Sequence, residues 1–286
     1  MQIQVKNLTH IYSEGTPYES AALTDVSFEL GKGEFAGIIG HTGSGKSTLI
    51  QHLNGLLKPK SGSILIDGTD ITGKDVKMRD IRRKIGLVFQ YPEYQLFEET
   101  VRKDVAFGPL NLGFTQEEAD ERAAEAIGLV GLDYGDIAER SPFELSGGQK
   151  RRVAIAGVIA MKPELLILDE PTAGLDPKAH WDILDMIVRI HETQQNSIIL
   201  VSHNMGDIAR LADKVLVMDR GKLILTGSPS EVFQQAGLLE SRGLALPPTA
   251  QLMRELEARG VAVSTDVLTI EAAEEELYRI LTDRRK

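Results

Sequence analysis

Short apolar runs recur along the chain between longer stretches of helical character. This pattern predicts buried strands in a mainly parallel, helix-covered sheet. The clearest runs span residues 35–39, 85–89, 165–168 and 198–201. Each run leads into a motif that holds a polar residue or a glycine, namely Gly40, Gln90, Asp169 with Glu170, and His203. Ligands of open α/β sheets bind beyond the carboxyl ends of the strands, so we expect these motifs to converge on one crevice.

Two other runs alternate apolar and polar residues instead of being apolar throughout. They span residues 3–8 and 63–67, and an Asp-Gly pair follows the second run as a turn signal. Alternation of this kind indicates strands with one buried face. The two runs therefore predict an antiparallel β lobe near the N-terminus.

The pattern changes after a further apolar run at 215–218 and the turn that follows it. From Ser228 onward the chain is mostly helical, with a break at Pro247 and Pro248. Either proline can open a helix that ends at Gly260. A last helix, at about 269–283, places Ala273, Leu277, Ile280 and Leu281 on one side. We therefore divide the chain into residues 1–226 and a small helical domain at 227–286.

Composition narrows the possible classes of protein. A chain of 286 residues with 42% hydrophobic content can form one large α/β domain and a smaller appendage. The longest apolar run, 153–161, is about half of the ~18 residues that suggest a membrane span. The first residues lack a signal-peptide pattern, which predicts a cytosolic location. The absence of cysteine excludes thiolate chemistry, and a net charge of −10 argues against a nucleic-acid partner.

The first chemical motif is GHTGSGKS at residues 40–47, a P-loop of the form GxxxxGK[ST]. It follows a predicted strand and leads into an apolar-periodic helix, Lys46 through Leu53, which is the context that the motif requires. Its glycines let backbone N–H groups surround phosphate oxygens, Lys46 reaches the β- and γ-phosphates, and the Ser47 hydroxyl ligates Mg²⁺. The predicted ATP-binding residues of this segment are Gly40, His41, Thr42, Gly43, Ser44, Gly45, Lys46, Ser47 and Thr48.

The run 165–168 ends in two acidic residues. Asp169 can hold Mg²⁺, usually through water. Alternation along the strand puts the side chain of Glu170 on the other side of the strand end, a suitable place for a carboxylate that orients or deprotonates the attacking water. Without a P-loop, a solvated pair at a helix entry before Pro171 would be a competing interpretation.

Three more side chains are candidates through their position. The amide of Gln90 can touch Mg²⁺ or the lytic water, although in isolation it is an ordinary surface residue. The imidazole of His203 can hydrogen-bond the γ-phosphate and hold Glu170 and the water in line. Tyr12 can stack on adenine, Tyr18 competes for that role, and simple packing is the alternative for either ring.

The second motif is LSGGQ at 145–149. Ser146 and Gln149 form a capping box that opens a helix to about Met161, and Gly147 with Gly148 leave backbone N–H groups bare to an anion. The simpler interpretation is only a helix start. Such a helix end suits a γ-phosphate, yet the P-loop already wraps that phosphate. We therefore expect the motif to serve a second nucleotide.

Together these motifs resemble the nucleotide-binding subunits of ATP-binding cassette (ABC) proteins. GHTGSGKS, Gln90, LSGGQ, LLILDE at 165–170, AGLD at 173–176 and His203 stand in that family's order over about residues 1–226. The resemblance implies a P-loop NTPase fold of class α/β, with a mainly parallel core sheet, an antiparallel β lobe, a helical signature subdomain and a small C-terminal α-rich domain.

The resemblance also implies how ATP and Mg²⁺ are used. Two cassettes pair head to tail, so Ser146, Gly147, Gly148 and Gln149 would complete the partner's nucleotide site, and Asp176 would cross the interface. Glu170 would be the catalytic carboxylate with His203 as γ-phosphate partner, and Ser47, Gln90 and Asp169 would hold Mg²⁺. Asn204 and Gly206 depart from the acidic residues that many cassettes have after the histidine.

Finer features are similar to the ATPases of energy-coupling factor (ECF) transporters and their cobalt-transport relatives. They are FQYPEYQLFEETVRKDVAFGPLNLG at 89–113, GTPYESAAL near the start, and GLALPPTAQLMRELEARG in the tail, which resembles a dimer-stabilising domain. This implies a peripheral ATPase at the cytoplasmic face of the cell membrane. Its partners would be a second cassette, identical or paralogous, and separate membrane subunits for coupling and substrate binding, through which a vitamin or a metal ion enters.

Other interpretations remain open at this stage. The chain can be an ABC ATPase of another transporter subgroup, or a non-transport ABC ATPase acting on DNA or ribosomes. In the ABC family a groove beside the glutamine loop receives helices of the membrane partner. One hypothesis is that three acidic residues near this groove meet arginines of the membrane partner, namely Glu93, Glu98 and Glu99. The alternative is that they form a solvated acidic loop.

Overall fold

A computed structural model describes residues 1–73 and 76–283 of the chain. Its strands fall into two sheets. In chain order they are β1 Ile3–Tyr12, β2 Ser20–Leu30, β3 Phe35–Ile39, β4 Ser61–Ile66, β5 Thr69–Asp70, β6 Ile85–Val88, β7 Leu165–Asp169, β8 Ser197–Val201, β9 Lys214–Asp219 and β10 Lys222–Gly227.

The larger sheet has the order β10-β9-β3-β8-β7-β6. Its members from β9 to β6 run parallel to one another, and β10 pairs antiparallel with β9 at the edge. The smaller sheet, in the order β2-β1-β4-β5, is antiparallel throughout. The predicted mainly parallel sheet and the predicted antiparallel lobe are both confirmed.

Helices connect and cover these sheets. They are α1 Lys46–Leu53, α2 Met78–Lys84, α3 Val101–Leu112, α4 Gln116–Leu129, α5 Tyr134–Ile137, α6 Gly147–Ile159, α7 Pro177–Gln194, α8 Met205–Leu211, α9 Pro229–Phe233, α10 Ala236–Ser241, α11 Pro248–Ala258 and α12 Ile270–Asp283. No helix of residues 1–73 and 76–283 has both the length and the apolar character that a membrane span needs.

The core strands are apolar throughout because both faces of the larger sheet are buried. In β7, Leu166 and Leu168 pack into one hydrophobic cluster with α3, α4, α6 and α7. The intervening Leu165 and Ile167 pack into a second cluster, which includes residues of the smaller sheet and of α1. The sheet thus forms the middle layer of the cassette, and its strand ends are held rigidly from both sides.

The strand β1 shows why simple alternation only partly describes the N-terminal lobe. Ile3 and Val5 are buried, but the next buried position is Leu8 rather than residue 7. Asn7 has a positive φ of 50°, and the pairing of β1 with β2 shifts register between Val5 and Leu8. Such a bulge inserts an extra residue and reverses the facing pattern beyond it.

The tail does not separate from the cassette at residue 227. Phe233, Leu244, Leu246 and Ala250 belong to the same buried cluster as the larger sheet. A distinct small cluster begins only at Met253, which packs with residues of α12 and the segment before it. The division at 226/227 stays a prediction, and the packing is continuous across it for more than one helix.

Candidate functional site

A cavity of about 540 Å³ opens at the carboxyl ends of the core strands. Among its lining residues are Tyr12, Thr42, Gly43, Gly45, Lys46, Ser47, Thr48, Gln90, Asp169, Glu170 and His203. The structure therefore brings together the motifs that follow four separate strands, as expected from strand ends alone. Gly40, His41 and Ser44 belong to the same loop, which joins β3 to α1, but they do not line the cavity.

The P-loop between β3 and α1 has a shape that requires glycine at two positions. Gly40 has φ 154°, and a Cβ atom there would lie 2.4 Å from the carbonyl oxygen of Met218. Gly45 has φ 103°, and its Cβ would lie 2.6 Å from the carbonyl oxygen of Ala22. Gly45 is also the N-cap of α1 and makes no side-chain capping bond. The N–H groups of the first turn of α1 are therefore available to an anion.

Lys46 projects back over the loop from the first position of α1. Its Nζ donates hydrogen bonds to the carbonyl oxygens of Gly40 (2.5 Å) and His41 (3.0 Å). Burial lowers the pKa of Lys46, and the nearby charges of Glu170 and Asp169 act in the opposite direction. A polyanion entering the cavity would supply the negative charge that such a buried ammonium favours.

Ser47 and Asp169 form the part of the cavity that suits a divalent cation. The Ser47 hydroxyl donates to Asp169 Oδ2 at 3.2 Å, and Asp169 is buried. Burial raises the pKa of Asp169, as does the charge of Glu170, while the Ser47 hydrogen bond lowers it. Two neighbouring carboxylates, a hydroxyl and the Gln90 amide offer the hard oxygen donors that Mg²⁺ prefers, with phosphate oxygens completing such a site. The donor set therefore fits Mg²⁺.

Glu170 and His203 contact each other directly at the wall of the cavity. His203 Nδ1 lies 2.7 Å from Glu170 Oε2, and His203 is largely exposed while Glu170 is largely buried. The backbone N–H of Glu170 donates to the carbonyl oxygen of Val201 at 3.0 Å, which fixes the end of β7 against β8.

Asp169 and Glu170 both line the cavity, as expected for residues at the end of one strand, and the placement of their side chains on opposite sides of that end stays a prediction. Glu170 has a positive φ of 49°, and strand alternation applies only to extended backbone. Glu170 lies with Asp169 at the predicted phosphate site, which suits the role predicted for it.

Tyr12 and Tyr18, the two candidates for adenine stacking, lie in different surroundings. Tyr12 lines the cavity, and its hydroxyl lies 3.3 Å from Thr48 Oγ1 on the P-loop helix. The His10 ring meets the Tyr12 ring edge-on at a centroid distance of 4.5 Å, which holds the tyrosine in place. Tyr18 is 85% exposed and does not line the cavity. This placement favours Tyr12.

The LSGGQ segment lies away from this cavity. Ser146 and Gln149 form the predicted capping box at the start of α6, with bonds of 3.3 Å and 3.0 Å, and the helix ends at Ile159. Ser146 and both glycines are exposed, and a Cβ on either glycine would meet no atom within 4 Å. The N-terminus of α6 is thus open to a ligand that this cavity does not hold.

Asp176 also lies outside the cavity and caps a helix. Its Oδ1 accepts hydrogen bonds from the backbone N–H groups of Lys178 and Ala179, both at 3.0 Å, at the start of α7. Asp176 is exposed, so its predicted position at a dimer interface requires no rearrangement of the chain.

Glu93 already pairs within the chain, and its contact with an arginine of a partner stays a hypothesis. Both of its carboxylate oxygens accept from the guanidinium of Arg151, at 3.0 Å and 2.7 Å. Arg151 is only 3% exposed and also donates to the carbonyl oxygens of Pro171 and Ala173. Glu99 is exposed and pairs with Lys103 at 2.7 Å, whereas Glu98 is half-buried.

Arg151 is the residue that sequence reasoning missed. It belongs to α6, two positions after the LSGGQ motif, and it joins that helix to the segment after Gln90 and to the segment after Glu170. These three segments follow LSGGQ, Gln90 and Glu170, which are three of the predicted motif positions. Its proximity to LSGGQ was the available signal, but nothing local identified Glu93, which lies 58 residues away, as its partner.

Comparisons with known proteins agree with this geometry. Residues 23–173 match the family described as ABC transporter. The chain is 59% identical over 284 residues to "Energy-coupling factor transporter ATP-binding protein EcfA2" of Clostridium tetani, covering 99% of each chain. It is 61% identical over 281 residues to the protein of the same name from Caldanaerobacter subterraneus subsp. tengcongensis, covering 98% of each.

Solved structures give the same picture. The chain resembles cbiO1 from Clostridium perfringens, described as part of the ABC transporter complex cbiONQ, with a TM-score of 0.74 and 39% identity over 88% of this chain and 98% of that one. It also resembles the ATP-binding cassette MJ0796, described as a dimer in a post-hydrolysis state bound to ADP and Pi, with a TM-score of 0.70 and 29% identity over 79% of this chain and 98% of that one.

Proposed function

The chain belongs to the ABC transporter family as an ATP-hydrolysing subunit of the energy-coupling factor type, and we propose that it works in head-to-tail pairs that close on ATP. One observation carries the proposal. The cavity assembles the P-loop, Asp169, Glu170 and His203, while the exposed N-terminus of α6 lies outside it. The LSGGQ segment of a second cassette would then cover the phosphates bound in this cavity.

Within each site the residues of this chain divide the work. The N–H groups of the P-loop and Lys46 would bind the phosphates, and Ser47 and Asp169, with Gln90 beside them, would hold Mg²⁺. When bound, that ion neutralises charge on the β- and γ-phosphates. Glu170 accepts the proton of the attacking water, and His203, 2.7 Å from Glu170, keeps that carboxylate aimed at it. Phosphoryl transfer then proceeds by positioning and electrostatics, without a covalent intermediate.

We further propose that closure is transmitted to membrane subunits through a groove next to the glutamine loop. The groove has a volume of about 390 Å³, and Leu96, Phe97 and Phe107 are among its lining residues. Phe97 and Phe107 are both exposed, with ring centroids 4.9 Å apart, which gives the groove an apolar lip suited to a helix. The chain would thus act at the cytoplasmic face of the membrane as a peripheral subunit, together with coupling and substrate-binding membrane subunits.

Complementation between two inactive variants tests the head-to-tail arrangement. In the Glu170→Gln background, which should trap the closed dimer, Lys46→Ala chains and Ser146→Arg chains are each expected to fail to dimerise with Mg-ATP. Their mixture should form a dimer, because one of its two sites combines an intact P-loop with the partner's intact LSGGQ. Size-exclusion chromatography measures the outcome.

The Glu170→Gln chain alone is the control, since its dimerisation shows that two copies of this chain can pair. If that control dimerises and the mixture stays monomeric, the LSGGQ segment does not act in the partner's site. If the control stays monomeric, identical chains do not pair, and the complementation is then made between this chain and a paralogous cassette, where failure of the matched pair to dimerise contradicts the head-to-tail arrangement.

A further inference from the structure

A chain of charged side chains connects the tail to the P-loop. Arg242 Nη1 in the segment after α10 lies 3.0 Å from Asp219 Oδ2 at the end of β9. The other oxygen of the same carboxylate, Oδ1, lies 2.9 Å from Nε2 of His41 in the P-loop. Asp219 is buried, whereas the side chains of His41 and Arg242 are 40% and 42% exposed on either side of it. The tail is therefore linked through one carboxylate to the loop predicted to hold the phosphates.

The two hydrogen bonds of His41 define its protonation state. Nδ1 lies 2.8 Å from the carbonyl oxygen of Thr42, and Nε2 faces the carboxylate of Asp219. Both partners are acceptors, so both ring nitrogens donate and the imidazolium form is favoured. The hydrogen bonds to Thr42 and Asp219 raise the pKa of His41, against smaller opposing effects of burial and of the charge of Lys46. The ring thus bridges the backbone of the P-loop and the end of β9.

The turn after β9 supports the loop independently of these charges. The backbone N–H of Gly221 donates to the carbonyl oxygen of Ser44 at 2.9 Å, and the Gly221 carbonyl accepts from Thr24. There is no space for a side chain at Gly221, where a Cβ would lie 2.8 Å from the carbonyl oxygen of Ala22. The turn 219–221 therefore contacts the P-loop at two places. Asp219 makes the charged contact, and Gly221 makes the backbone contact.

Arg242 is held in place by its neighbours along the chain. Leu239 and Leu244, on either side of it, are buried in the main hydrophobic cluster. Its backbone N–H donates to the carbonyl oxygen of Leu239 as α10 ends. The guanidinium is thus presented to Asp219 by a segment with little freedom, and a shift of that segment would be felt at Asp219.

We infer that Asp219 and Arg242 are positioning residues for ATP binding, which hold His41 and with it the first part of the P-loop in the shape that surrounds the phosphates. The inference rests on the proposed nucleotide site. Neither residue lines the cavity, so each acts through His41. The tail of this chain then contributes to nucleotide affinity in its own subunit, apart from any contact it makes with a partner.

The test measures ATP affinity and turnover in the full-length chain with Arg242→Ala, Arg242→Lys, Asp219→Asn and the double variant Asp219→Asn/Arg242→Ala. Arg242→Ala should weaken ATP binding about 3- to 10-fold, the effect of losing a charge-assisted contact, and should raise KM with kcat nearly unchanged. Arg242→Lys should restore most of the affinity. In the Asp219→Asn background, Arg242→Ala should lower the ATP affinity less than about twofold, because Arg242 acts through the carboxylate of Asp219.

The matched control is Arg254→Ala, an exposed arginine of α11 with no ion pair among the described residues. Thermal unfolding of every variant checks that each folds. An unchanged ATP affinity in Arg242→Ala, or a loss that is equally large when Asp219 is already Asn, overturns the inference. The proposed function fails in a different way, since the wild-type chain would then bind ATP no better than Lys46→Ala.

Discussion

The P-loop cavity and the N-terminus of α6 are both built to receive phosphate, but they differ in how complete they are. In the cavity, Lys46, Ser47, Asp169 and Glu170 already contact groups of the same chain. At α6 the exposed glycines face open space. The difference teaches that one chain brings the P-loop, the carboxylates and His203 together by itself, while the N–H groups at the start of α6 are left open to a group from outside the chain.

Removing the carboxylate of Glu170, the proposed proton acceptor, should give the largest effect on turnover and is the strongest test of the P-loop cavity. Glu170→Gln keeps the size of the side chain and removes its ability to take a proton. Turnover should fall about 10²- to 10⁴-fold, while ATP binding persists and the closed dimer accumulates. Steady-state phosphate release measures the first effect and size-exclusion chromatography the second. Normal turnover would remove Glu170 from its proposed role.

Lys46→Ala tests the P-loop cavity directly. The variant removes the charge that lies over the phosphate loop, so ATP affinity should fall about 100-fold, as expected for charge-assisted bonds to phosphate. Equilibrium binding of a fluorescent ATP analogue measures this. Tight binding in the variant would contradict the P-loop assignment.

Glu93→Gln tests the ion pair with Arg151 that connects the segment after Gln90 to α6. Arg151 would keep its burial but lose its counter-charge, and the free energy of unfolding should fall by about 2–3 kcal/mol in urea denaturation. Burial acts to raise the pKa of Glu93, but its hydrogen bonds and the charge of Arg151 lower it overall. The contribution of the pair is therefore present above the ordinary carboxyl pKa and is lost as the pH falls through the lowered pKa of Glu93.

The control for Glu93 is Glu99→Gln, which breaks an exposed pair with Lys103. Exposed pairs contribute little, so this variant should unfold within experimental error of the wild-type chain. Equal stability of the two variants would show that the buried pair does not join α6 to the glutamine segment in solution.

Ser146→Arg tests the exposed N-terminus of α6. The change fills the open space in front of α6 without touching the cavity, so a single chain should bind ATP within about twofold of wild type. Turnover should nevertheless drop at least about tenfold, because dimer closure is blocked. The two measurements are made on the same preparation. A parallel loss of binding by the isolated chain would place LSGGQ in its own nucleotide site and break the comparison.

The smallest expected effect is a pH dependence of the ATP affinity of the P-loop cavity. The pKa of His41 is raised by Thr42 and Asp219, so its stabilising bonds are fully present below the ordinary histidine pKa and are lost as the pH rises through the raised value. ATP affinity of the wild-type chain should decrease slightly over that rise. His41→Gln should show a flatter profile in the same binding assay, and an identical profile would exclude His41 as the source.

The sequence predicted best the parts that are determined locally. The strand β3 and the helix α1 match their predicted bounds, because a wholly apolar run followed by a P-loop leaves few alternatives. The strand β2 was missed although Val26, Phe28 and Leu30 alternate with exposed residues, because the alternation does not continue through Asp25, which has a positive φ. The left-handed backbone of Glu170 could not be predicted from the apolar run before it, because that run indicates only an extended strand.

Partners distant in sequence could not be predicted at all. The contact of Glu93 with Arg151 and that of Asp219 with His41 join residues 58 and 178 positions apart. Only the fold brings each pair together, and an isolated acidic residue in a loop looks the same whether it is solvated or paired. The motif residues themselves were found because their chemistry is encoded in short, ordered segments.

The left-handed backbone of Glu170 places the stability of the chain in conflict with its activity. An ordinary side chain in that conformation costs about 1 kcal/mol that glycine would avoid and asparagine would reduce. A library selected only for heat resistance should therefore enrich Gly or Asn at position 170. The selected variants would be more stable and, on the proposed role of Glu170, would bind ATP but hydrolyse it slowly, so the glutamate of this chain trades stability for activity.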